Sequence, residues 1–164
     1  ERIDPFDEVE RTAILSACQG QLHNIIKFAF WTGLRTSELC ALNWSDIDFK
    51  RSLVRINKSF TMAASEPEGP KTDAGIRSVK LFPPAIAALK SQQEHTFLKN
   101  KEIFQNPYTM DRWRGDRPLR DQWKKVLIQA DIRYRYPYQT RHSYATMMLM
   151  AGEHVMWVDR KSGG

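Results

Sequence analysis

Two short stretches of this 164-residue chain alternate apolar and polar residues: "RSLVRINKSF" at 51–60 and "IRSVKL" at 76–81, the second with Ile76, Val79 and Leu81 as its apolar positions. A period of two belongs to a strand, because successive side chains leave it on opposite faces. Between them, "EPEGPKTDAG" carries two prolines, two glycines and an Asp before Ala-Gly, which are residues that turn a chain. The pair therefore reads as two antiparallel strands joined by a loop. Around this pair the apolar residues recur at helical spacing instead. The expected fold class is α+β, mainly α-helical with a small antiparallel β-sheet.

The helical pattern starts at Asp7 and runs to about Ala17, with Val9, Ala13, Ile14 and Cys18 in register. It resumes from Gln21 to Thr32 through Leu22, Ile25, Ile26, Ala29 and Phe30, where Gly33 offers a left-handed stop. A short helix is expected over Thr36 to Asn43, and another begins at Pro83-Pro84, since proline suits the first helical turn. "IFQNP" reads as a short extended piece. "RPLRDQWKKVLIQAD" has a stripe of Leu119, Trp123, Val126, Leu127 and Ala130. The last long helix spans Thr140 to Ala151 and closes at Gly152, with Met147, Met148, Leu149 and Met150 assigned to the core. No linker divides the chain, so residues 1–164 read as a single domain. Cys18 and Cys40 are too few and too isolated for a disulfide framework or a metal knuckle, and read as buried thiols.

Charge narrows the function. The net charge is +6, and it is unevenly placed. Residues 1–50 carry five basic and eight acidic side chains, whereas residues 111–141 carry nine basic and four acidic. Basic density thus climbs toward Arg141, and a polyanion, nucleic acid first of all, is the natural partner for such a chain. No stretch approaches the ~20 apolar residues of a membrane span. The acidic amino end lacks the apolar core of an export signal, so a cytoplasmic location is expected.

Three segments hold residues suited to a phosphate. In "TGLRTSELCALNWSDIDF", Arg35 stands at the threshold of a helix, where a cation opposes the helix dipole unless an anion is near. Glu38, three residues on, shares its face and can orient the guanidinium. In "GPKTDAGIRSVKL", Lys71 lies on the loop between the strands, placed to reach a phosphate or protonate a leaving oxygen. In "PYQTRHSYATMMLMAG", Arg141 again sits in a first helical turn, after Tyr134, Tyr136 and Tyr138. His142 points about 100° away around the helix and reads as a structural, hydrogen-bonded histidine.

Taken together, "TGLRTSELCALNWSDIDF", "GPKTDAGIRSVKL" and "PYQTRHSYATMMLMAGE" resemble, in order and separation, the catalytic domain of the tyrosine recombinases, the phage integrase family. The resemblance runs from about residue 5 to 157. It implies the DNA breaking-rejoining catalytic fold of that family, with Arg35 and Arg141 clamping a scissile phosphate. By the same likeness Glu38 supports the first arginine, and Lys71 assists the leaving 5′ oxygen. It also implies a metal-free and cofactor-free reaction through a 3′-phosphotyrosine. The partners implied are double-stranded DNA bearing recombination sites and, for a full-length protein, a homo-tetramer on that DNA.

The pattern departs from the family at two places. Where the family commonly has histidine three residues before Arg141, this chain has Tyr138, whose phenol, with a pKa of about 10, is a poor general base at pH 7 but can hydrogen-bond a phosphate oxygen. Beyond "AGEHVMWV" the family continues to a nucleophilic tyrosine, whereas this sequence gives "DRKSGG". His154 and Trp157 fall too early to stand for the residues that precede that tyrosine. The expectations are therefore that the nucleophile and an amino-terminal core-binding domain lie outside these residues, and that the chain alone is inactive. Two other readings are a non-catalytic DNA-binding remnant and a helix-turn-helix regulator built on "YATMMLMAGEHVMWV".

Overall fold

A computed structural model describes residues 2–59, 68–69 and 76–152. Its elements are α1 (Glu8–Ser16), α2 (Gly20–Thr32), α3 (Thr36–Ala41), a single 3-10 turn at Trp44–Asp46, β1 (Ile47–Asp48), β2 (Leu53–Ile56), β3 (Arg77–Lys80), α4 (Pro83–Thr96), α5 (Asp116–Ala130) and α6 (Gln139–Met150). Local chemistry explains the boundaries. Asp7 accepts from the Glu10 amide at 2.8 Å while the Glu10 carboxylate accepts from the Asp7 amide at 3.1 Å, a reciprocal cap that starts α1. Gly33 ends α2 at φ 67°, a conformation that costs glycine little. Proline occupies the first positions of α4, where no intrahelical amide is needed.

Helix α2 runs through the centre. It buries Ile25, Ile26, Phe28, Ala29 and Phe30 along most of its circumference, so its neighbours α1, α3, α4 and α6 pack on several sides. Phe6, Phe30 and Trp123 meet edge-on or tilted, with ring centroids 5.7 to 6.2 Å apart, and join the amino-terminal segment, α2 and α5. Between α2 and α4 the core is polar. Gln92 accepts from Asn24 at 2.9 Å and donates to Gln21 at 2.9 Å and to the Ile103 carbonyl at 3.0 Å. Every one of these groups is partnered, as burial requires.

The sheet has the order β1-β2-β3 and is antiparallel throughout. Its central register pairs Val54 with Val79, both fully buried. The expected strand pair is thus present, with the two-residue β1 added at its edge.

Several apolar assignments are corrected. Ile76 is exposed, because it has the opposite parity to Val79 and Leu81, which are buried. Val9 is exposed, because α1 packs through Ile14 and Val9 turns to solvent. Of the methionine-rich run only Met148 is buried. Leu149 and Met150 lie on the outer side of α6, whose inward face is taken by Gln139, Thr140, Arg141, Ser143 and Tyr144. Both cysteines are buried, and burial lifts their thiols to about 12.

Candidate active site

Arg35 caps the amino end of α3 in an extended conformation, immediately after the left-handed Gly33 and Leu34. Its backbone amide donates to Glu38 Oε1 at 2.9 Å, so the carboxylate closes the first turn of the helix. The Arg35 guanidinium stays 4.0 Å from Glu38 Oε2, and its side chain is 42% exposed. Helix α3 has only six residues, too few to persist by itself in water. Its carboxyl end is held from outside: Arg112 Nη1 donates to the Cys40 carbonyl at 2.9 Å and to the Leu42 carbonyl at 3.3 Å, and Nη2 donates to Asn43 Oδ1.

The second arginine arrives from the other end of the sequence. Arg141 lies in the first turn of α6, is buried, and donates from Nη1 to the Gly33 carbonyl at 3.2 Å. The turn between α2 and α3 therefore holds both arginines, one through its backbone carbonyl and one as part of its own chain. Burial, with the Arg35 charge beside it, pulls the Arg141 guanidinium down to about 10, against the raising influence of Tyr138 and Glu38. A buried cation facing like charges is stabilised by an arriving anion.

Glu38 has a partner that the sequence reading did not assign. Arg77 on β3 forms a two-pronged pair with it, Nη1 to Oε2 and Nη2 to Oε1, both at 2.9 Å, with side-chain exposures of 6% and 8%. Arg77 thus holds Glu38 directly, and the expected Glu38–Arg35 pairing is reduced to the backbone bond and the longer 4.0 Å approach. Strand parity carries the clue. Arg77, Val79 and Leu81 alternate on one face, so a charge stands at an inward position and requires a partner there.

Tyr138 precedes α6, is 39% exposed, and sits with its ring 6.0 Å from Arg141 Cζ. His142 packs edge-on against that ring at 5.1 Å. The histidine, expected to be structural and apart, lies at the margin of the same cluster through Tyr138. Tyr134 and Tyr136 are exposed and meet each other edge-on at 5.7 Å. Lys71 lies outside the described residues, as do His154 and Trp157. The second helix of the helix-turn-helix reading falls there too, and α6 itself is a core helix with its inward face buried. Among the described residues, no group of three or more His, Cys, Asp or Glu side chains is placed to hold a metal ion, and no helix is long and apolar enough to cross a membrane.

The chain also resembles known proteins in sequence and in fold. The chain is 34% identical over 187 residues to prophage integrase IntR of Escherichia coli (strain K12), an alignment covering 98% of this chain and 44% of IntR. It therefore spans less than half the length of that relative. In fold it is similar to the Tn1549 transposon integrase in complex with circular intermediate DNA, with a TM-score of 0.74 and 20% identity over 94% of this chain and 56% of the other. A lambda integrase tetramer bound to a Holliday junction gives a TM-score of 0.70 at 14% identity, over 96% of this chain and 46% of the other. Residues 5–163 match the phage integrase family over almost the whole sequence, and the chain belongs to that family.

Proposed function

We propose that this chain is the DNA-binding catalytic domain of a site-specific tyrosine recombinase, which cleaves and rejoins DNA in the cytoplasm through a 3′-phosphotyrosine. The observation that carries the proposal is the convergence of Arg35 and Arg141 on the turn at Gly33, beside the buried Arg77–Glu38 pair. Attack on a phosphodiester concentrates negative charge on the phosphorus oxygens. Guanidinium donors already in place stabilise that charge more than they stabilise the ground state. The phosphotyrosine bond conserves the phosphoester energy, so rejoining needs no other source. In this reading Glu38 supports Arg35 and Lys71 protonates the departing 5′ oxygen. Tyr138 hydrogen-bonds a phosphate oxygen where the family commonly has histidine, and His142 steadies the Tyr138 ring. In this reading none of Tyr108, Tyr134, Tyr136, Tyr138 and Tyr144 is the attacking residue, and the assembled form is a homo-tetramer on paired DNA sites. DNA complexes of relatives with the same fold support the choice of partner.

An end-labelled nicked duplex, which traps a cleaved strand, tests the reading on native and denaturing gels. The expected result is a native shift that weakens with salt, with no adduct surviving denaturation. Absence of any shift at low salt overturns the DNA-binding reading. An adduct that survives denaturation overturns the placement of the nucleophile and directs mapping to the tyrosines present.

A further inference from the structure

Two arginines compete for one carboxylate in this site. Arg35 is the local candidate, three residues from Glu38 on the same short helix, yet its guanidinium stands 4.0 Å away. Arg77 comes from 39 residues further along the chain and occupies both oxygens at 2.9 Å. Burial explains the outcome. Arg77 is 6% exposed and would be strongly penalised as a charge without this carboxylate, whereas Arg35 is 42% exposed and keeps part of its hydration.

We propose that Arg77 is a positioning residue: by occupying both oxygens of Glu38 it denies that carboxylate to the Arg35 side chain and so keeps Arg35 turned toward the phosphate. This rests on the reading of Arg35 as a phosphate ligand. Arg77 is too buried to be the ligand itself and acts through Glu38. The Arg77 fork takes one oxygen with each prong, the two-pronged geometry an arginine and a carboxylate favour, while Oε1 also accepts the Arg35 amide. With Arg77 gone, Glu38 remains buried and charged, and the nearest cation on its own helix is Arg35. A movement of about 1 Å, from 4.0 Å to hydrogen-bond length, would close the pair and withdraw Arg35 from its partly exposed position.

The test compares four variants of the 164-residue chain: Arg77→Met, Arg77→Lys, the double variant Arg77→Met/Glu38→Met, and Arg35→Ala as a reference. Each is measured for affinity to a fluorescent 30-base-pair duplex across a salt series, and Arg77→Met is also crystallised. For Arg77→Met the expected result is Arg35 paired to Glu38 by two hydrogen bonds and duplex affinity about tenfold weaker, the scale of one charged hydrogen bond. The slope of log affinity against log salt should also fall by about 0.9, as for one lost phosphate contact. The double variant lacks the carboxylate that captures Arg35, so it binds more tightly and with a steeper salt slope than Arg77→Met, though short of the unaltered chain because Glu38 also closes the first turn of α3. Lysine at position 77 fills only one oxygen and gives an intermediate loss, which keeps the test open if the methionine variant does not fold. A merely structural role for Arg77 would change stability but leave the salt slope intact. The proposal is overturned if Arg77→Met keeps Arg35 at its original distance with an unchanged slope, or if the double variant binds no better than Arg77→Met. An Arg35→Ala chain that binds like the unaltered one overturns the phosphate reading as well, whereas a normal Arg35→Ala loss beside an unaffected Arg77→Met overturns this proposal alone.

Discussion

Among the described residues, two clusters of arginine and carboxylate are built to opposite ends. At the amino-terminal strap, Asp4 lies 2.8 Å from Arg133 and 3.3 Å from Arg135, and Arg135 also reaches Glu10 at 2.8 Å. Two carboxylates face two guanidinium groups, and the hydrogen bond from Arg133 holds the Asp4 carboxyl down at about 2. At the site, Arg35, Arg77 and Arg141 share Glu38, and Arg141 is drawn below the usual arginine range instead. In the first cluster the charged forms stabilise one another. In the second, burial and the neighbouring Arg35 charge disfavour the charged form of Arg141. The first cluster fastens the fold together, while the second, on the proposed reading, receives a phosphate.

Exchanging the damage between the clusters tests this contrast most severely. Arg141→Ala should weaken duplex binding about a hundredfold, the worth of two charged hydrogen bonds, and change thermal stability little, because relief of a buried like-charge contact offsets the lost bond to the Gly33 carbonyl. Arg135→Ala should do the reverse. It loses the Glu10 bond and its stacking 4.5 Å over the Phe6 ring, which lowers unfolding free energy by about 2 kcal/mol, while duplex affinity stays within about twofold. Urea unfolding and duplex titration on the same samples decide it, and parallel losses in both variants would abolish the distinction.

Acid should separate the clusters next. The Asp4 carboxyl is depressed in the folded state relative to its ordinary value of 3.8. Its contribution is therefore fully present above about pH 4 and lost as pH falls toward 2. Asp4→Asn should flatten stability against pH across that window and leave the duplex salt slope untouched, as unfolding curves from pH 2 to 6 will show.

The smallest effect sharpens the comparison by timing. Cys18 lies between α1 and α2 and Cys40 lies within α3, both with thiols raised to about 12. Neither should react with a disulfide reagent at pH 8 unless its surroundings open. Arg112→Ala removes the external hold on the end of α3 and should speed labelling of Cys40 several-fold relative to Cys18, measured by mass spectrometry of the labelled peptides.

Much of this was legible from the residues. The caps at Asp7 and Gly33, the prolines opening α4 and the Leu119–Trp123–Leu127 stripe all act within a few positions, so periodicity and turn chemistry reveal them. The antiparallel pairing of β2 with β3 was legible for the same reason. What stayed hidden is long-range or polar. Arg77 stood inside "GIRSVKL", but its meaning depends on Glu38, 39 residues earlier, and only strict strand parity marks it as inward-facing. Gln92 is fully buried despite its polarity. Its burial is sustained by Asn24, Gln21 and the Ile103 carbonyl, which no local pattern displays. The methionine run erred in the other direction: hydrophobicity put Leu149 and Met150 inside, whereas the face of α6 carrying Arg141 already filled that space.

The amino-terminal strap also has a mechanical meaning. Gln139 grips it twice, accepting from the Asp4 amide at 2.9 Å and donating to the Arg2 carbonyl at 2.8 Å, while Ser143 Oγ accepts from the Phe6 amide at 2.8 Å. These bonds flank Arg141 along α6 and hold the strap at three points, residues 2, 4 and 6, so a pull on the amino end is shared among them. Tension applied at residue 2 therefore travels along a short, stiff path to the first turn of α6. The strap acts as a tendon, and Arg141 sits at its insertion.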